Sequence, residues 1–143
     1  MKKQCLVIGL GVFGMSVARR LSEKGIEVLA IDKNMKRVEK ANTFATKAIC
    51  MDISAIDALD GLPTEHFDIG VVGIGEDVSI SIITCLALKE TGVNYIIAKA
   101  GDNLHKRVLD KINVDKIVLP EEYMGIKIAN EIIDSEKNKP VIK

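Results

Sequence analysis

Six short apolar runs alternating with six helical patterns predict an α/β fold, doubly wound around a mostly parallel six-stranded sheet. Two further observations agree. Several runs are almost continuously apolar, as expected of parallel strands covered on both faces. Where the first run passes into the first helical pattern, the chain reads Gly9-Leu10-Gly11-Val12-Phe13-Gly14.

In chain order, the first strand is expected at residues 4–8, followed by a helix at 13–24 that Gly25 can stop in a left-handed turn. A strand at 27–31 and a helix at 35–42 come next, then a strand at 48–51 and a short helix at 55–59. The strand at 69–73 leads to a strongly apolar helix at 78–90, which Gly92 can stop. A strand at 95–99, a charged helix at 104–112 and a strand at 116–119 follow, the last ended by Pro120. The final helix is expected at 122–135. Each helical residue advances about 100° around the axis. On that wheel Met124, Ile126, Ile128, Ala129, Ile132 and Ile133 span roughly 200°. A helix resting on one sheet needs a stripe of little more than ~100°. Either this helix is buried unusually deeply in its own domain, or it packs against another subunit, and the second reading is favoured. Residues 136–143 turn polar and end near Pro140, Val141 and Ile142, which could begin another element.

A chain of 143 residues and 15.6 kDa fits one domain with a real core, and no repeat or low-complexity tract divides it. Hydrophobic residues make up 48% and charged residues 28%, an ordinary globular balance. The formal net charge of zero supplies no general attraction to nucleic acid or anionic lipid, so nucleic acid is not an expected partner. The start reads as a first strand rather than a signal peptide, and no stretch approaches the roughly 18 apolar residues of a membrane span. Any membrane role is expected to come through a partner. Cys5, Cys50 and Cys85 sit singly in apolar segments without metal-ligand spacing. They are expected to be reduced thiols packed as small hydrophobes, with a catalytic thiol as the sharper alternative.

The glycines carry the chemistry. Gly9 permits a tight turn, Gly11 lets a diphosphate approach the backbone, and Gly14 lets the helix lie close to the sheet, as in Rossmann domains. Unpaired N–H groups and the helix dipole then favour negative charge at the helix start. Asp32 ends the second strand, 18 residues after Gly14, where an acid accepts hydrogen bonds from ribose hydroxyls and repels a 2′-phosphate. Its alternative role is to cap the helix that starts near Met35. Asp52, with Ile53 beside it, follows the third strand, where an adenine would lie, or else caps a helix. Gly73, Ile74, Gly75 and Glu76 follow the fourth strand beside the point where strand order reverses, unless they form an ordinary turn. His66 and His105 are both expected at the solvated surface, away from strand C-termini. No Ser–His–Asp set, P-loop or zinc spacing is present, so a binding module is a better inference than an enzyme.

Several stretches together resemble the regulator-of-potassium-conductance domain, the N-terminal part of KtrA and TrkA proteins. They are VIGLGVFG at 7–14, AIDKNMKRVEK at 30–40, VVGIGEDV at 71–78 and IIAKAGDNLHKRVLDKINVDKIVLPEEYMGIKIA at 96–129. The resemblance implies a nucleotide-binding Rossmann core over 1–120, a crossover or dimerisation helix over 121–135, and a linker over 136–143 to a C-terminal domain not contained here. It implies an adenine nucleotide, ATP/ADP or NAD(H), with phosphates at Gly9, Gly11 and Gly14, ribose at Asp32 with Asn34 assisting near it, and Val12, Phe13 and Lys33 also among the cofactor-binding residues. The adenine would lie by Asp52, and Lys99 would sit near the phosphates. Glu121 would approach the terminal phosphate, directly at a neighbouring subunit or through a divalent cation. It further implies a homodimer assembling into a ring of eight on the cytosolic face of a membrane potassium-translocating subunit. Val12 departs from the pattern, since many members carry an arginine there. The rival readings are an NAD-dependent oxidoreductase or redox sensor using the same crevice, and a stand-alone nucleotide-binding adaptor.

Overall fold

The structure is a computed structural model that describes residues 3–54 and 59–138. Six parallel strands are β1 (Gln4–Ile8), β2 (Glu27–Asp32), β3 (Lys47–Cys50), β4 (Ile69–Val72), β5 (Tyr95–Lys99) and β6 (Lys116–Val118). They lie in the order β3-β2-β1-β4-β5-β6. The chain steps outward from β1 to β3, returns across the sheet, and steps outward again from β4. The strand order therefore reverses between β1 and β4, which leaves a crevice above their C-terminal ends.

Helices α1 (Val12–Glu23) and α2 (Met35–Ala41) cover one face, and α3 (Val78–Glu90) and α4 (Asn103–Lys111) cover the other. Two apolar clusters match these faces. Val7, Leu10, Met15, Ala18, Val28 and Ala30 pack under α1 and α2. Leu6, Ile8, Ile31, Leu88, Ile96 and Leu109 pack under α3 and α4. Alternate residues of β1 thus serve opposite cores, so the strand reads as one apolar run. Gly25 and Gly92 follow α1 and α3 with φ of 83° and 91°, the left-handed conformation expected of helix stops.

Helix α5 (Pro120–Asn138) starts two residues earlier than the sequence suggested and continues past 135. Proline is tolerated in a first helical turn, where its missing N–H has no intrahelical partner anyway. Residues 121–134 are exposed, including Tyr123, Met124, Ile126, Ile128, Ile132 and Ile133. The apolar arc is not buried in its own domain. No described helix is long and apolar enough to cross a membrane.

Three expectations need correcting, and one lies largely outside view. Gly73 is not the last residue of β4 but opens the following loop. Cys50 is exposed rather than packed, because β3 is the edge strand and Cys50 its last residue; its thiol donates to the Lys33 carbonyl at 3.3 Å. Cys5 and Cys85 are buried, and burial pushes each thiol up to about 12. His105 is 1% exposed. Asp102 accepts the His105 N–H at 2.8 Å and starts α4 so that His105 and Leu109, four residues apart, both face inward. The short helix expected at 55–59 falls, apart from Leu59, outside the described residues.

Candidate functional site

The β1–α1 turn is built by close backbone approach. Gly9 has φ 95°, and its N–H donates to the Ile31 carbonyl at 2.9 Å. A side chain on Gly14 would overlap the Gly9 carbonyl oxygen, and one on Gly73 would come within 2.9 Å of that same oxygen. Gly11 is different. Nothing lies within 4 Å of the position its Cβ would take. Packing therefore requires Gly14 and restricts Gly73, whereas the space over Gly11 is open to a ligand. Gly11 is also the N-cap of α1 and offers no side-chain acceptor to the first-turn N–H groups. Those donors face outward for an anion.

Asp32 is 7% exposed at the end of β2. Its Oδ2 accepts the Leu10 N–H at 2.7 Å, and its Oδ1 accepts the Asn34 N–H at 2.8 Å. The carboxylate thus ties the glycine turn to the β2–α2 turn. Each oxygen has acceptor capacity left for a hydroxyl. The capping of α2 falls to Asn34, whose Oδ1 accepts the Arg37 N–H at 3.2 Å. Arg37 Nη1 lies 3.7 Å from Asp32 Oδ2.

These groups open onto a cleft of about 110 Å³ above the C-terminal ends of β1 to β4. Gly9, Gly11, Asp32, Lys33, Asp52, Ile53, Gly73 and Ile74 all line it. Asp52 is exposed on its rim, and the Ser54 N–H, donating to Oδ1 at 3.0 Å, holds its carboxyl below the usual carboxylate range. Val12 is 88% exposed, while Phe13 is half-buried against the α1–α2 core. Val12, Phe13, Gly14 and Asn34 do not line the cleft; Gly14 and Asn34 shape it from behind.

Gly75, Lys99 and Glu121 belong to a second cleft, of about 400 Å³, between the ends of β5 and β6 and the start of α5. Glu76 lines both clefts and joins them. The Lys99 stem runs along Gly75 so closely that a Cβ there would meet Lys99 Cε at 2.8 Å. The second cleft is otherwise acidic, with Asp102 and Glu122 beside Glu121. Among the described residues no cluster of His, Cys, Asp and Glu forms a metal site, so a divalent cation here would need oxygens from a bound phosphate. Neither described histidine lines either cleft. His105 instead accepts the Gly101 N–H on Nδ1 at 3.0 Å and meets Ser81 Oγ through Nε2 at 2.9 Å, bracing a loop of the second cleft against α3.

Sequence reasoning missed Arg37, Met51, Asp77 and Ile80 as cleft residues, whereas Glu76, expected beside the crevice after the fourth strand, does line it. The strand-end rule could have found Met51. Arg37 required knowing that the first turn of α2 leans over Asp32.

The arrangement fits a nucleotide: an open backbone turn for phosphates, a fixed carboxylate for ribose, and apolar walls beyond it. Known proteins similar in sequence and shape agree with that fold. Ktr system potassium uptake protein C of Bacillus subtilis is 42% identical over 135 residues, covering 94% of this chain and 61% of its own. Ktr system potassium uptake protein A of Vibrio alginolyticus is 40% identical over 132 residues, covering 92% and 60%. The chain thus spans about 60% of the length of these relatives.

Among solved structures, the TrkA-N domain of the Escherichia coli inner membrane protein ybaL superposes with a TM-score of 0.80 at 14% identity. It covers 92% of this chain and 98% of its own. The AMP-bound Kef CTD of Shewanella denitrificans gives 0.72 at 19%, covering 96% and 84%. The GsuK channel bound to NAD gives 0.70 at 14%, covering 83% and 22%. The TrkA-N domain profile matches residues 5–120. The chain belongs to the TrkA-N domain family.

Proposed function

We propose that this chain is the nucleotide-binding part of a regulatory subunit of a potassium uptake system, acting on a membrane partner rather than catalysing a reaction. One observation carries the reading. The glycine turn is open over Gly11 beside the pinned Asp32 carboxylate, a geometry suited to a diphosphate and a ribose, on a chain whose last helix presents an uncovered apolar side. Proteins of the same family are potassium uptake proteins, and proteins of the same fold hold AMP, ADP or NAD.

In this reading an adenine nucleotide, ATP/ADP or NAD(H), places its phosphates over Gly9 and Gly11 and its ribose on Asp32. The base extends toward Asp52 and Ile53. Lys99 supplies the cation of the second cleft, and Glu121 approaches the terminal phosphate of a bound triphosphate, with a divalent cation between them. Two copies pair through α5, and the pairs assemble into a ring of eight against the cytosolic face of the potassium-translocating subunit. Nucleotide changes the angle between paired domains and so biases the pore. Such a shift requires different affinities for the two ring shapes.

Calorimetric titration with AMP, ADP, ATP, NAD+ and NADH, together with mass measurement of the assembly with and without each, tests the reading. Binding of at least one nucleotide to a particle of two or more copies is expected. If none of the five binds, the proposed trigger is gone and the reading falls. Turnover of a nicotinamide cofactor in an absorbance assay would favour an oxidoreductase instead.

A further inference from the structure

The adenosine end of the first cleft contains a cation that the motif does not account for. Arg37 is the third residue of α2, and its backbone is fixed there by the Asn34 cap. Its side chain is 45% exposed and reaches back over the strand end to within 3.7 Å of Asp32 Oδ2. It lines the cleft with Met51 and Ile53, which come from the end of the neighbouring strand β3.

The sheet order sets the direction of a bound nucleotide. Phosphates belong at the β1 turn, ribose at Asp32 on β2, and the base one strand further toward β3. Adjacent strands lie about 4.8 Å apart, so each step moves one group of the nucleotide outward. Arg37 belongs to α2, which packs over β2 and β3, outward of the glycine turn on β1. A cation recruited for phosphate would be expected on the β1–β4 side.

We propose that Arg37 is a specificity-determining residue for adenosine: its guanidinium lies on the face of the base and closes it against Met51 and Ile53. This rests on the nucleotide reading above. Without ligand, the guanidinium pairs with Asp32. When ribose hydroxyls occupy the remaining acceptor capacity of Asp32, the planar cation moves onto the adenine ring, where its charge meets the π-face. The contact is made by the adenosine half alone. It is therefore indifferent to how many phosphates follow.

The test titrates AMP, ADP and ATP into the full chain and into Arg37→Gln and Arg37→Lys, with melting curves of each ligand-free protein. Arg37→Gln is expected to weaken all three nucleotides by one common factor, roughly 5- to 30-fold for a desolvated cation–π contact. Arg37→Lys should recover only part of the loss, because an ammonium lacks the stacking plane. Ligand-free melting should move by no more than about 2 °C, since a half-exposed ion pair contributes little to stability. A loss that climbs from AMP to ATP, with full recovery by lysine, would show a phosphate contact and overturn the assignment. Unaltered affinities in Arg37→Gln would overturn it too, while leaving the nucleotide reading intact. If the unsubstituted chain binds none of the three, both fall together.

Discussion

Among the glycines of the first turn, identical residues do different work, and substitution separates them. Gly14→Ala would drive a methyl group into the Gly9 carbonyl in the middle of the turn. The clash is with backbone rather than with a flexible side chain, so a loss of about 3 kcal/mol or more is expected, enough to leave little folded protein. Gly11→Ala meets no neighbouring atom and keeps an extended conformation open to any residue. Its stability cost should stay within about 1 kcal/mol, the scale of a changed N-cap. Nucleotide affinity should nevertheless fall at least about tenfold, because the methyl group occupies the phosphate approach. Urea unfolding and calorimetry on the two variants check this; a Gly11→Ala protein that binds normally removes the phosphate assignment. His105 allows a test in pH. Burial lowers its pKa from the ordinary 6.5, with Asp102 acting in the opposite direction. Nδ1 accepts the Gly101 N–H, so the neutral ring is the one the fold uses. Below its ordinary pKa the unfolded chain takes up the proton more readily than the folded one. The stability due to this ring is thus complete above about pH 6.5 and declines as pH falls through the lowered value. Unfolding free energies from pH 7 to pH 5 should therefore drop more steeply for the unsubstituted chain than for His105→Gln. Parallel curves would show that the ring takes up its proton equally in the folded and unfolded chain, and that burial does not lower its pKa.

For the secondary elements, the sequence was informative where one residue pattern had one physical solution. Doubly covered strands need continuous apolar runs, and all six strands lie within two residues of their expected bounds. Boundaries shifted where a residue could serve two neighbours: Asp32 ends β2 and also receives the glycine turn, and Pro120 closes a strand while opening a helix. The candidate site was legible for the same local reason. Gly9, Gly11 and Asp32 follow from one βαβ unit. Arg37, and the division of Gly75, Lys99 and Glu121 into a separate cleft, depend on strand order and helix placement, which no short motif encodes. His105 was misjudged because its charged neighbours Lys106 and Arg107 conceal an inward-facing position one turn before Leu109. Helix α5 shows the opposite case. Its wide apolar arc could not indicate which surface would cover it, and in the structure Ile128 remains 47% exposed. If the helix is a pairing surface, Ile128→Asp should weaken self-association at least about tenfold, while single-chain stability changes by no more than ~0.5 kcal/mol, as for an exposed position. Sedimentation equilibrium and unfolding at low concentration measure both. Unchanged association would remove α5 from the interface.

At the level of the whole molecule, the question is whether the cleft and α5 communicate. The geometry gives a route: Pro120, Glu121 and Glu122 are at once the first turn of α5 and a wall of the second cleft, and Glu76 links that wall to the first cleft. A change in the direction of α5 therefore moves the groups that wall the second cleft. Reciprocity then constrains the outcome. If nucleotide alters how two copies pair, pairing must alter nucleotide affinity by the same factor. Typical coupling of about 1–3 kcal/mol corresponds to roughly 5- to 150-fold. The Ile128→Asp chain, held unpaired, should thus bind the preferred nucleotide with an affinity at least about fivefold different from that of the paired chain. Thermal melting supplies an independent reading. Ligand at about 100 times its dissociation constant adds roughly 2.7 kcal/mol of stability. For a chain of this length that corresponds to a rise of roughly 9 °C. With coupling, the rise at one fixed nucleotide concentration must differ between paired and unpaired protein, because their dissociation constants differ. Equal affinities and equal rises would describe a cleft that binds nucleotide without reporting it to α5. In that event the chain could hold its ligand and still have no means of transmitting it to a ring.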